Sequence, residues 1–231
     1  MRRFVPCFFA TIAPPKGVLA LRDIKEDVLN HIKRIHLPYT ALDVGWWFQI
    51  TLPRLPSGRN DYVHIGSPDF IVGTGTVPSA YTDLSDVGRF LARVVLDPRT
   101  LNKMVFAYSE VKTQNEVYDL LERVSGETIP RNYLSEETIT TTVASLDLPP
   151  MGSPESYKLT QFQYWHSWGL RGDNTPEFAR YLGYLDAREL YPDFEPRTLE
   201  LYAKDMLAGK AKKVYAEASQ AKDYASGLQN H

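Results

Sequence analysis

A chain of 231 residues, 43% hydrophobic and 23% charged, amounts to about one and a half domains and can bury a core without staples, which excludes wholesale disorder. Lys+Arg totals 26 against 28 Asp+Glu, so a net charge of −2 gives no electrostatic drive toward phosphate backbones and disfavours a nucleic-acid binder. One cysteine excludes an internal disulfide and favours a reducing, cytoplasmic setting.

No stretch of about 18 apolar residues occurs, so no membrane-spanning helix is expected. The opening resembles a signal peptide only faintly, because its apolar stretch is short and broken by Pro6. Arg3 to Phe9 reads instead as a continuous apolar strand buried on both faces of a parallel sheet. A chain that opens on such a strand is expected to follow something else. A helix from about Leu21 to His36 comes next, with Leu21, Ile24, Val28, Leu29, Ile32 and Ile35 in a 3.6-residue stripe expected to face the core. Pro38 to Val44 reads as a second strand, and the pair with its helix forms a right-handed βαβ unit.

Trp46 to Pro56 reads as a helical start broken at Pro53 and Pro56. Short strands are expected at Tyr62–Ile65 and Asp69–Val72, around Gly66-Ser67-Pro68. Asp83 to Leu96 is a helix with Leu84, Val87, Leu91 and Val94 on one face, followed by a strand at Met104–Ala107. Thr113 caps a helix to Ser125, with Glu116 completing a capping box and Gly126 following it. Beyond residue 130 the pattern is mostly helical, with a loop at Pro149 to Pro154. Gly209 to His231 reads as a solvated terminal helix that frays.

Motifs with chemistry are few. The five histidines show no metal-ligand spacing, so no metal site is expected. Gly73-Thr74-Gly75 lacks the third glycine and the following helix of a dinucleotide loop. Neither a P-loop nor a nucleophile elbow occurs. Cys7 at a strand end is a buried, inert cysteine or a functional group. The 12% aromatic content suits either ordinary packing or a pocket for a flat organic ligand. Lys25 stands beside the apolar stripe of its helix. There a lysine either snorkels to water or turns inward, loses solvation and becomes fit for proton transfer.

Several stretches carry a resemblance. Arg2-Arg3-Phe4-Val5-Pro6, then Lys25 thirteen residues ahead of Pro38, then Leu37-Pro38-Tyr39-Thr40 resemble the NmrA-like, isoflavone reductase-like family of atypical short-chain dehydrogenases. Asp86 to Phe90, Asp97 to Lys103 and Thr113 to Glu116 resemble further family motifs. Asp43 to Trp47, Arg171 to Glu177 and Leu182 to Asp186 look like its fungal branch. The resemblance implies an α/β fold: the later part of an NAD(P)-binding Rossmann-like parallel sheet with a mostly helical substrate lobe. As one domain, residues 1–60 and about 102–126 would form the Rossmann-like part, and 61–101 with 127–231 the substrate side.

It also implies an oxidoreductase acting on a small aromatic or polyketide-like metabolite, in secondary metabolism, with Lys25 as the catalytic group. Pro6, Cys7, Phe8, Val44, Gly45 and Trp46 would face NADP(H), and Trp47, Phe48, Tyr164, Trp165 and Trp168 would wall the substrate. The family's glycine-rich pyrophosphate cradle is not found in these 231 residues, so weak NADPH binding by this chain is the expectation. A non-catalytic NADP-sensing regulator with a protein partner, a truncated inactive member and a homo-oligomer are the alternatives the resemblance leaves open.

Overall fold

In the computed structural model, residues 3–64, 69–145, 149–150 and 152–214 are described. Three parallel strands form the central sheet, in the order β1 (Thr40–Asp43), β5 (Lys103–Phe106), β8 (Leu185–Asp186). Thr40 faces Lys103 and Phe106 faces Asp186 in its register. All four residues of β1 are buried, as a strand covered on both faces requires. A second sheet joins β2 (Trp46–Trp47), β4 (Ser79–Thr82) and β6 (Glu110–Lys112), parallel then antiparallel. A small parallel pair joins β3 (Ile71–Val72) to β7 (Tyr133–Leu134). The parallel sheet with flanking helices is the Rossmann-like α/β class that the sequence implied.

Helix α1 (Ala20–Arg34) leads into β1 as expected, but the strand expected before it is reduced to one bridge at Phe4, so the βαβ unit is incomplete. The inward face of the helix also differs from the expectation. Leu29 and Ile32 pack on Phe8, Tyr39 and Ala41 as a core cluster. Leu21, Ile24, Val28 and Ile35 are exposed, Val28 by 48% and Ile35 by 54%. The helix is turned so that Arg22 and Lys25 point inward instead. There Arg22 meets Asp43 and Tyr184, and Lys25 meets the carbonyls of Cys7 and Phe8.

The opening segment is the second correction. Phe4 makes one parallel bridge to Tyr39, and Phe9 donates to Leu42 O at 2.8 Å, but the stretch between leaves the sheet. Pro6 has no N–H to donate, Phe8 N–H turns back to Pro6 O, and Phe9 takes φ +27°, so a continuous buried strand cannot run through.

Other elements follow capping chemistry. α2 (Leu84–Val94) starts at Asp83, whose carboxylate accepts from Ser85 N–H, and buries Asp86, Phe90 and Val94. α3 (Gln114–Ser125) has the full Thr113–Glu116 capping box and ends on Gly126, as its sequence predicts. Where a helical start was expected at Trp46, β2 pairs with β4 and a short 3₁₀ turn follows at Phe48–Ile50. Residues 61–64 form turns and not a strand, while residues 65–68 lie outside the described residues. Of Asp69–Val72 only Ile71–Val72 pairs. The helical region supplies α4 (Glu136–Ser145), α5 (Pro154–Tyr164), α6 (Pro176–Tyr181), α7 (Ala187–Leu190) and α8 (Leu199–Leu207). Residues 209–214 are turn and irregular chain, and the rest of the expected terminal helix lies outside the described residues.

Candidate functional site

β1 ends at Asp43, and the chain turns at Gly45 into β2. Gly45 has φ +70°, and an added Cβ would stand 2.4 Å from Ala80 O. Only glycine fits that left-handed, tightly approached position. Gly45→Ala is therefore expected to destabilise the fold by about 2 kcal/mol or more in a chemical denaturation curve. A change inside a few tenths of a kcal/mol would show that the turn gives way freely.

Beside this turn, α1 presents Lys25. Its ammonium donates to Cys7 O at 3.1 Å and to Phe8 O, and stands 5.8 Å from the centre of the Phe8 ring. Burial pushes its pKa below the ordinary lysine value, and Arg22 adds to that, while Asp43 and the Cys7 thiol oppose it. The lysine is half-buried with its head tied to carbonyls, which is the inward and not the snorkelling arrangement. Pro6 and Phe8 are both buried, and the Phe8 ring lies beneath the ammonium. Cys7 itself is exposed with a free thiol, which corrects the expectation of a buried cysteine. The kink at Pro6 turns it out of the sheet.

One turn before Lys25, Arg22 is 3% exposed and reaches Asp43 Oδ2 at 2.7 Å; Asp43 is fully buried. Tyr184, eight-percent exposed ahead of β8, donates to the same Oδ2 at 2.7 Å and accepts from Arg22. Glu26 holds the other side of the guanidinium at 2.8 Å, and the guanidinium carbon lies 4.7 Å from the Phe8 ring centre. Asp43 Oδ1 is buried without a hydrogen-bond partner. Burial and the neighbouring carboxylate push the Tyr184 phenol well above its ordinary value, so it stays protonated and donates. Sequence reasoning missed this network. Its signal was an aspartate between the apolar Ala41-Leu42 and Val44 of the expected strand, with an arginine three residues ahead of Lys25 on the same helical face.

The aromatic residues divide. Trp46 packs 5.3 Å from Tyr164 and 5.7 Å, edge to face, from Trp168. Trp165 lies 4.9 Å from Phe70 and 4.8 Å from Phe162. Residues 165–171 form a π-helix, a geometry that recurs at functional sites because it re-aims side chains. The indole N–H groups of Trp46 and Trp168 are buried without partners. Trp47 instead packs with Leu42, Val44 and Phe90, and Phe48 lies in another core cluster, 6.1 Å from Tyr202. Val44 is fully buried.

A nicotinamide ring finds suitable chemistry here: an ammonium on one side, buried Phe8, and the β1 strand end where α/β sheets hold ligands. A pyrophosphate finds less. Among the described residues, Asp83, Thr113, Ser153, Thr175 and Thr198 already cap helix N-termini. Ala20 N–H at the start of α1 is taken by Gln163.

No protein-family profile matches the chain. Asnovolin J 5′,6′-dehydrogenase of Aspergillus novofumigatus is 42% identical over 215 residues, covering 90% of this chain and 66% of that protein. The crystal structure of an isoflavone reductase superposes with a TM-score of 0.68 at 27% identity, covering 88% of this chain and 65% of the other. A leucoanthocyanidin reductase–NADPH complex from Vitis vinifera gives a TM-score of 0.70 at 21% identity, over 90% and 66%, which bears on the fold alone. The chain thus spans just under two thirds of the length of these relatives. With this agreement in sequence and fold, the chain belongs to the isoflavone reductase-like family.

Proposed function

We propose that this chain supplies the redox and substrate side of an NADPH-dependent oxidoreductase for a small aromatic or polyketide-like metabolite, acting in the cytoplasm and in secondary metabolism. The observation that carries the reading is Lys25: an inward, partly desolvated ammonium at the end of the parallel sheet, within a chain 42% identical to a fungal dehydrogenase. When bound, NADPH supplies the hydride. The Lys25 ammonium hydrogen-bonds the oxygen on which negative charge develops and passes it a proton. Its lowered pKa brings that transfer closer to neutral pH than for a free lysine. Phe8 with Pro6 forms the apolar floor that keeps water from the ammonium. The half-buried Trp46, Tyr164 and Trp165 form the aromatic wall for a flat substrate, with the buried Trp168 packed against Trp46.

The test is NADPH labelled with deuterium at the transferring position, supplied with a panel of electrophilic aromatic and polyketide-like acceptors. It is given in large excess, to offset the weak binding expected of a chain without a glycine-rich cradle, both to this chain and to a fusion that restores such a segment ahead of it. Transfer of the label to a product carbon is expected. Cofactor binding without label transfer to any acceptor would favour a non-catalytic binder.

A further inference from the structure

We propose that Asp43, pinned by Arg22 and Tyr184, is the positioning residue of the Lys25 ammonium: it fixes the rotation of α1 that brings the lysine inward and supplies the buried negative charge that keeps it there. The geometry runs through three elements. Arg22 and Lys25 are three residues apart on α1, so they share a face. Asp43 closes β1, the strand that follows α1, and Tyr184 immediately precedes β8. Arg22 and Tyr184 both bind Oδ2, at 2.7 Å from the nearest guanidinium nitrogen and 2.7 Å from the phenol, and leave Oδ1 buried and unpartnered. The carboxylate is a buried negative charge at the end of β1 that favours the charged form of the ammonium. The apolar stripe of α1 would by itself rotate Leu21, Ile24 and Val28 inward; the observed rotation is the one that satisfies Arg22 and Asp43.

Lys25 is surrounded by a defined set of groups. The Cys7 and Phe8 carbonyls accept from it, Asp43 and the Cys7 thiol favour its charged form, and Arg22 disfavours it. Glu26 is occupied by Arg22. Removing Asp43's charge therefore leaves burial and Arg22 opposed only by Cys7, and removing Arg22's charge acts in the other direction. A network with a merely structural role behaves otherwise: its loss loosens α1, rehydrates the lysine and moves its titration up toward the ordinary value in both cases.

The experiment follows Lys25 directly, in the 231-residue chain carrying an isotope label at lysine Cε, by NMR against pH; Lys25→Arg identifies its signal. Asp43→Asn is expected to lower the midpoint by about 0.5 pH unit or more, and Arg22→Gln to raise it by a similar amount. A rise or no movement with Asp43→Asn overturns the proposal. Should Asp43→Asn unfold, as its amide spectrum would show, Arg22→Gln decides, read together with solvent paramagnetic relaxation of the Lys25 signal. A raised midpoint with the signal still shielded supports the proposal, and no rise, or a rise with the signal newly exposed to solvent, overturns it. The catalytic consequence rests on the reading of Lys25 as proton donor, and the two fail separately. Opposite shifts with a fully active Lys25→Ala would remove the catalytic role and keep the positioning one. Unmoved midpoints with an inactive Lys25→Ala would do the converse.

Discussion

Lys25→Ala is expected to lower kcat/KM for NADPH-dependent reduction by about 10²–10⁴, the usual contribution of a positioned acid–base group. The fall should sit in kcat, because the ammonium acts on charge that appears only in the transition state. Folding should change little: alanine is a good helix former, and the lost contacts are two carbonyl hydrogen bonds at a half-buried site whose carbonyls can take up water. Lys33 on the solvent side of α1 is the control, and Lys33→Ala should leave both activity and melting temperature unchanged. The pH profile carries a second signature. A lysine whose pKa is lowered by burial loses its proton earlier, so the activity that depends on the ammonium should fall on the alkaline side below the ordinary lysine range. Full activity in Lys25→Ala would sink the assignment. Loss of activity only through unfolding would return the lysine to a packing role.

How much of this site was readable in the sequence depended on which force decided each element. For Lys25 the sequence allowed a snorkelling or an inward head, and the structure takes the inward one, with the ammonium on the Cys7 and Phe8 carbonyls. The capping box of α3 was readable because capping is local chemistry: Thr113, Glu116 and Gly126 dictate it without reference to the rest of the fold. The rotation of α1 was not. Hydrophobic periodicity favours Leu21, Ile24, Val28 and Ile35 inside, and only knowledge of what β1 and Tyr184 place opposite shows why Arg22 wins. The two-residue strands at Trp46–Trp47, Tyr133–Leu134 and Leu185–Asp186 are equally invisible to a period, since each exists through its partner, whereas Ile71–Val72 lay inside the strand expected at Asp69–Val72. Arg3 to Phe9 shows the opposite error. Its composition reads as strand, but one proline without a donor and one residue at positive φ break the ladder.

Arg22→Met should destabilise the fold by about 3–5 kcal/mol, because it leaves the Asp43 carboxylate buried without its cation. Tyr184 alone cannot compensate, since it donates a single proton to an oxygen that also needs a counter-charge. Glu26, 12% exposed, can turn to water, so most of the cost falls on Asp43. The triple variant Arg22→Met, Asp43→Leu, Tyr184→Phe removes every buried polar partner together, and an apolar replacement of a buried pair is often neutral. It should recover at least half of the loss in a denaturant midpoint. If it melts as low as Arg22→Met, the cost lies in packing around the guanidinium and Phe8, not in the stranded carboxylate. Stability and activity should then part company. With no buried charge to hold α1 in its observed rotation, the triple variant is expected to fold and yet reduce substrate poorly, because Lys25 no longer stands over the Cys7 and Phe8 carbonyls. A stable triple variant with full activity would show that the lysine finds its place without the network.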